Sequence, residues 1–154
     1  MFSKEERKKI NTAFWGIVKK ELNKTPDAEG RFIQWLNYPI KIKDVFLRLK
    51  VDNTRAIVSL DIQSSDEGIR ELIWEQLEEL KKVMEHNMEI LPTWDKTVTN
   101  DAGLPIYQIR WELKNVSLYS KQDEKAIIHF FRTVLVDFDA FYFEFGEILK
   151  NLMR

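Results

Sequence analysis

Between Val45 and Ile62 apolar and polar residues alternate twice, as VFLRLKV and then RAIVSLDI, with Asp52-Asn53 between the two runs. Alternation with a period of two marks a strand with one buried face, so the stretch reads as a β-hairpin. Asp and Asn tolerate the left-handed backbone that a two-residue loop demands. With such a loop Val51 pairs with Thr54, Leu49 with Ala56, Leu47 with Val58 and Val45 with Leu60, and both apolar sets share one side. A slip of one residue would turn a whole set to water. The reverse side carries Phe46, Arg48, Lys50, Arg55, Ile57, Ser59, Asp61 and Gln63, a mixture that suits a sheet covered on one face only.

The remaining pattern supplies that cover. Ser3 and Glu6 have the spacing of a capping box, and Ile10, Phe14, Ile17, Val18 and Leu22 then form a helical stripe that Thr25-Pro26-Asp27 ends. Trp15 lies off the stripe and is expected to cover a neighbouring loop. Ala28 to Tyr38 fits either a short helix or an extended lead-in, and Ile40 and Ile42 read as strand whose phase breaks at Lys43-Asp44, as a bulge or short turn would cause. Ser64, Ser65 and Asp66 are N-cap candidates for an amphipathic helix over 66–86, with Ile69, Leu72, Ile73, Leu77, Leu80, Val83 and Met84 on one face. A second strand pair follows: Met88, Ile90, Trp94 and Val98 against Tyr107, Ile109, Trp111 and Leu113, with Asn100-Asp101-Ala102-Gly103 as the turn. A four-residue loop pairs Val98 with Pro105, Trp94 with Ile109 and Ile90 with Leu113, and Pro92 favours an edge position for the first strand. From Gln122 to Leu152 an aromatic-rich helical stripe predicts one helix, or two meeting near Val136-Asp137; burial against the sheet explains it better than a cofactor does.

The order α-β-β-α-β-β-α predicts an α+β fold: an antiparallel sheet of four to five strands with helices packed on one face, in a single domain over 1–154. Lys and Arg number 24 against 25 Asp and Glu, so net charge gives no push towards nucleic acid or anionic membrane. The absence of cysteine removes disulfides, thiol nucleophiles and cysteine-ligated metals. No apolar run reaches signal-peptide or membrane-span length, so a cytoplasmic protein is expected.

Chemistry is scarce. The five glycines are too scattered for a phosphate loop, and no nucleophile elbow is present. His86 at a helix end suits the helix dipole, and His129 is expected at the boundary of the aromatic stripe; they are too far apart in sequence to form a local ligand pair. The sharpest catalytic pattern is Glu112-x-Lys114 with Asp95 on the preceding strand, as in magnesium nucleases of the PD-(D/E)XK type. With Asp95 opposite Gln108, however, Glu112 lies four residues along, about 13 Å away at strand rise. The same register sets Glu89 opposite Lys114 as an ordinary cross-strand ion pair. A binding surface fits better. The uncovered face is expected to present Phe46, Arg48, Lys50, Ile57 and Asp61 with Gln108, Arg110 and Glu112, and a second cluster gathers Arg31, Trp35, Asn37 and Tyr38. A single outward aromatic with interleaved acids makes a poor base-stacking platform.

The opening MFSKEERKKINTAFW, the AEGR segment followed by WLNY, and the hairpin with a helix ending IRELIWEQLEELK resemble an uncharacterised bacterial family, domain of unknown function 4268. The resemblance implies a compact α+β module in a DNA-related or defence setting, since some members resemble C-terminal partners of nuclease-like segments. It brings no catalytic residues to carry over, and this chain is expected to hold no additional nuclease segment. The combined expectation is a non-enzymatic interaction or accessory module without cofactor or metal. Its partner is a protein or a second copy ahead of nucleic acid, with no membrane. The alternative is a magnesium-dependent nuclease, or a degenerate relative, using Asp95, Glu112 and Lys114.

Overall fold

A computed structural model describes residues 1–154. The chain runs α1 (Lys4–Leu22), β1 (Val45–Val51), β2 (Arg55–Ile62), α2 (Glu67–Glu79), α3 (Lys81–His86), β3 (Thr93–Thr99), β4 (Pro105–Lys114) and α4 (Glu124–Leu152). The four strands form one antiparallel sheet in the order β1-β2-β4-β3, so the two hairpins join through their second strands. The α+β architecture and element order expected from the sequence are present.

The helices lie on one side of the sheet. Leu47, Val58, Leu60, Ile109 and Trp111 turn towards them and are buried with Phe14, Val18 and Leu22 of α1, Ile73, Trp74 and Leu77 of α2, and Phe131, Val134 and Phe138 of α4. Trp111 meets Phe138 edge-on at 6.2 Å between ring centroids, a favoured aromatic geometry. The α1 capping box closes with both reciprocal bonds, Glu6 N–H to Ser3 Oγ and Ser3 N–H to Glu6 Oε1. Trp15 stacks on Phe131 of α4, not on a loop.

The strand registers differ from expectation in an instructive way. Val51 pairs with Ala56, Leu49 with Val58, Leu47 with Leu60 and Val45 with Ile62, two residues from the expected register. The cause is Asp52, whose Oδ1 accepts from the Thr54 and Arg55 amides and the Thr54 hydroxyl, so that Asp52 N–H closes on Arg55 O and the turn is centred on Asn53-Thr54. A two-residue shift keeps every side chain on its face, so the core is unaffected. In the second hairpin Trp94 pairs with Ile109 and Asp95 with Gln108 as expected, but a bulge then brings Val98 against Ile106 and Thr99 against Pro105. Asp95 drives it by capping the Thr97 amide at 2.8 Å. Gly103 (φ +79°) takes the left-handed corner of the loop. Because Pro92 has no amide hydrogen, β3 begins at Thr93; Ile90 and Glu89 precede it, and the Glu89 amide donates to Asp137 instead of Glu89 facing Lys114.

Two further expectations change, and the choice between one and two C-terminal helices is decided. The helix over 66–86 is two, broken at Leu80, which carries the buried Met84 into the core and Glu85 to the Trp94 indole N–H at 2.9 Å. The aromatic stripe is one continuous helix of 29 residues, about 43 Å long. Ile40 and Ile42 are buried yet not strand, because Lys41 and Asp44 hold positive φ of 61° and 63°; the expected turn at Lys43-Asp44 is present.

Residues 23–44 are irregular backbone, with a single 3-10 turn at Trp35–Asn37. Such a segment needs side-chain partners for its polar groups. Asp139 of α4, only 7% exposed, accepts from the Ala28 amide at 2.7 Å and from the Tyr38 hydroxyl. Tyr142 donates to the Ile40 carbonyl, and Trp35 donates from its indole to Thr25 O at 2.9 Å. The α4 helix thus supplies most of the long-range anchors of this loop.

Candidate binding face

The side of the sheet away from the helices is not a flat wet surface. Ser59, Asp61 and Ile106 point to it, yet they are only 1%, 4% and 2% exposed. The reason is curl: Lys50 on the outer strand β1 reaches Asp101 of the β3–β4 loop, 3.5 Å away, across the width of the sheet. The bulge at Asp95/Val98 increases twist locally and lets the hairpin bend inward. The result is a concave face around a cavity of about 610 Å³ bordered by Lys50, Arg55, Ile57, Ser59, Gln108 and Arg110.

The charges inside this concavity are mutually satisfied. Arg110 donates to Asp95 Oδ2 through Nη1 and to Glu112 Oε1 through Nε, both at 2.9 Å, and Arg55 binds the other Glu112 oxygen at 2.8 Å. Gln108 Nε2 donates to Asp61 Oδ1 at 2.8 Å, and Arg48 Nε lies 3.4 Å from Asp61 Oδ2. Asp95 is held down to about 2, first by the Thr97 hydroxyl and amide and then by Arg110. Burial pushes Glu112 upward, but its arginine partners outweigh that and leave it below the usual range. Bonding to Asp95 and Glu112 holds Arg110 above its ordinary value.

The residues singled out from the sequence separate into distinct environments. Asp95 and Glu112 do converge, but upon the Arg110 guanidinium; Lys114 is exposed at the end of β4 opposite Arg55. No group of three or more histidines and carboxylates stands close enough to hold a metal ion. Asp61, expected on the wet side, is buried because the sheet curls, and the Arg110 side chain is 21% exposed with its Nε and Nη1 committed to Glu112 and Asp95. Phe46, Arg48 and Lys50 remain exposed on the outer strand, with the Arg48 guanidinium 4.6 Å above the Phe46 ring. In the second cluster Trp35 is 2% exposed and closes the core, Tyr38 is half-buried on Asp139, and Asn37 is exposed. Arg31 is exposed and paired with Asp27 and Glu29. Burial first, and the Asp139 hydrogen bond second, hold the Tyr38 phenol well above the usual tyrosine range. Asp139 escaped the sequence reading because an aspartate amid aromatics at helical spacing gives no local sign of partners more than a hundred residues away.

A family model described as "Domain of unknown function (DUF4268)" matches residues 10–145. The chain belongs to this family. The match takes in every strand, both charged clusters and Asp139, so the concave face and the α4 anchor are parts of the DUF4268 unit in this protein. No curated protein and no solved structure matches the chain. No helix is long and apolar enough to cross a membrane.

Proposed function

We propose that this DUF4268 protein is a non-enzymatic, cytoplasmic binding module that engages another protein through the β1 margin of its sheet. The observation that carries this reading is the contrast between the centre of the concave face and its margin. Arg55, Arg110, Asp95 and Glu112 bond to one another at 2.8–2.9 Å, whereas Arg48 and Lys50 hold their single acids only at 3.4 and 3.5 Å and stand exposed beside Phe46 on the outer strand. An exposed aromatic flanked by cations is a common ingredient of protein interfaces. Phosphate recognition is less favoured, because each central cation already has a carboxylate. The DNA-related or defence setting is the context that the family resemblance suggests for the partner.

The nuclease alternative would require magnesium to displace a guanidinium bonded to both Asp95 and Glu112. Two measurements separate the readings. Lys50→Glu, which leaves the pair between Arg48 and buried Asp61 intact, should fold as the parent does and weaken capture of a partner co-purified with the parent from its native cells. The double variant Arg48→Glu/Lys50→Glu should lose it; retention of that partner by both variants contradicts the binding reading. Calorimetric titration of the parent with magnesium or manganese should show no specific site, and a saturable one would favour the nuclease.

A further inference from the structure

The β1 strand is the outermost of the sheet, and only alternate residues of it use their backbone groups. The loop bond from Asp52 N–H to Arg55 O and the bond from Gln63 N–H to Asp44 O set the phase. Within the register Val45↔Ile62 to Val51↔Ala56, that phase points the peptide groups of Phe46, Arg48 and Lys50 at β2 and those of Leu47, Leu49 and Val51 away from the sheet. The Val45 amide, which also points outward, is taken by Ile42 O at 3.2 Å. Leu47, Leu49 and Val51 have no such partner, so three amides and three carbonyls form an unpaired row.

Three cavities border this row, although the Trp35–Asn37 turn packs against its first part, where Leu47 is 7% exposed. A cavity of about 290 Å³ between Leu36-Asn37-Tyr38 and β1 borders residues 46–50. The 610 Å³ concavity borders Leu49 to Asp52 and reaches Trp15, and one of about 550 Å³ borders Val51 to Asn53 next to Phe2 and Tyr119. Leu36 is 37% exposed and Phe46 42%, so the rim of the first cavity is apolar on both sides of the edge.

Resting on the binding reading above, we infer that β1 accepts an extended segment of a partner protein as a fifth, edge-added strand. The segment alternates acidic and apolar residues. An added strand would bond to Leu47, Leu49 and Val51 and place its side chains alternately on the two faces of the sheet. On the concave side they would meet Arg48 and Lys50, whose side chains are 42% and 52% exposed, which selects carboxylates. On the helix side they would meet Leu36, Leu49 and Trp15, which selects apolar residues. The same cations disfavour a second copy of this chain. Antiparallel self-pairing centred on Leu49 would set Arg48 opposite the other copy's Lys50, twice, with Cα atoms about 4.5 Å apart.

The test uses the full chain and a capped eleven-residue peptide alternating Glu and Val, with a Lys-for-Glu copy, followed by amide hydrogen exchange in NMR. At a tenfold excess over its Kd the glutamate peptide should slow exchange of Leu47, Leu49 and Val51 by about tenfold. The lysine peptide should not, and Arg48→Glu/Lys50→Glu should reverse the preference. Binding that leaves those three amides unprotected, no binding of the glutamate peptide, or equal binding of both peptides overturns strand addition. Protection of the same amides that rises with protein concentration alone overturns it in favour of self-association. Loss of a cellular partner in the double variant without peptide protection of the edge would leave the binding reading standing and the strand-addition mode refuted.

Discussion

Asp139→Ala is expected to destabilise the fold by about 3 kcal/mol, a fall of about 6–12 °C in Tm for a chain of this size. The carboxylate is 7% exposed and holds two donors from a segment with no regular structure of its own, the Ala28 amide and the Tyr38 hydroxyl. Truncation leaves both donors without an acceptor, one of them in a half-buried tyrosine ringed by Trp35, Phe138 and Tyr142. Tyr38→Phe removes one of the two bonds and should cost about 1–2 kcal/mol. Because both changes act on the same bond, the double variant should lose less than the sum of the singles. Thermal melts of the four proteins check this, and a loss below about 0.5 kcal/mol, the size of an ordinary surface change, would refute the anchoring role.

Arg110→Ala should cost about 2–4 kcal/mol, and Arg110→Lys should recover only part of that loss. Arginine serves Asp95 and Glu112 through different nitrogens at once, which the point charge of lysine cannot match in geometry. Without it two carboxylates, with side chains 25% and 14% exposed, face a shared gap. The acid limb of the stability profile carries the signature. Asp95 is depressed to about 2 from 3.8, so its contribution is present above about pH 4 and is lost as pH falls through 2. Arg110→Ala should flatten that limb without abolishing it, because the Thr97 hydroxyl and amide remain the largest stabilisers of the Asp95 anion. Urea melts between pH 2 and 6 measure it; an unchanged limb would mean that Arg110 does not hold Asp95.

The parts of this fold visible in the sequence are those set by local rules. Alternation at Val45–Val51 and Arg55–Ile62 placed the hairpin and its buried side, the Ser3/Glu6 spacing placed a helix start, and Pro92 placed an edge strand. The hairpin register came out two residues away because Asp52 folds its carboxylate over the Thr54 and Arg55 amides, a choice between turn types that the dipeptide alone does not decide. The bulge at Asp95 has the same origin. Curl across the sheet was invisible, since it depends on how four strands twist together. It is what buries Asp61 and Ser59 and brings Lys50 to Asp101. For the candidate site, exposure of Phe46, Arg48 and Lys50 followed directly from strand parity. The commitment of Arg110 to two acids required a knowledge of which strands lie side by side.

The most direct test of the account is residue-resolved amide exchange along β1 in the protein alone, at low concentration. Leu47, Leu49 and Val51 should exchange quickly, while Phe46, Arg48 and Lys50, bonded to β2, should exchange slowly, giving a strict alternation over six residues. Uniform protection along the strand, or alternation of the opposite phase, would contradict it.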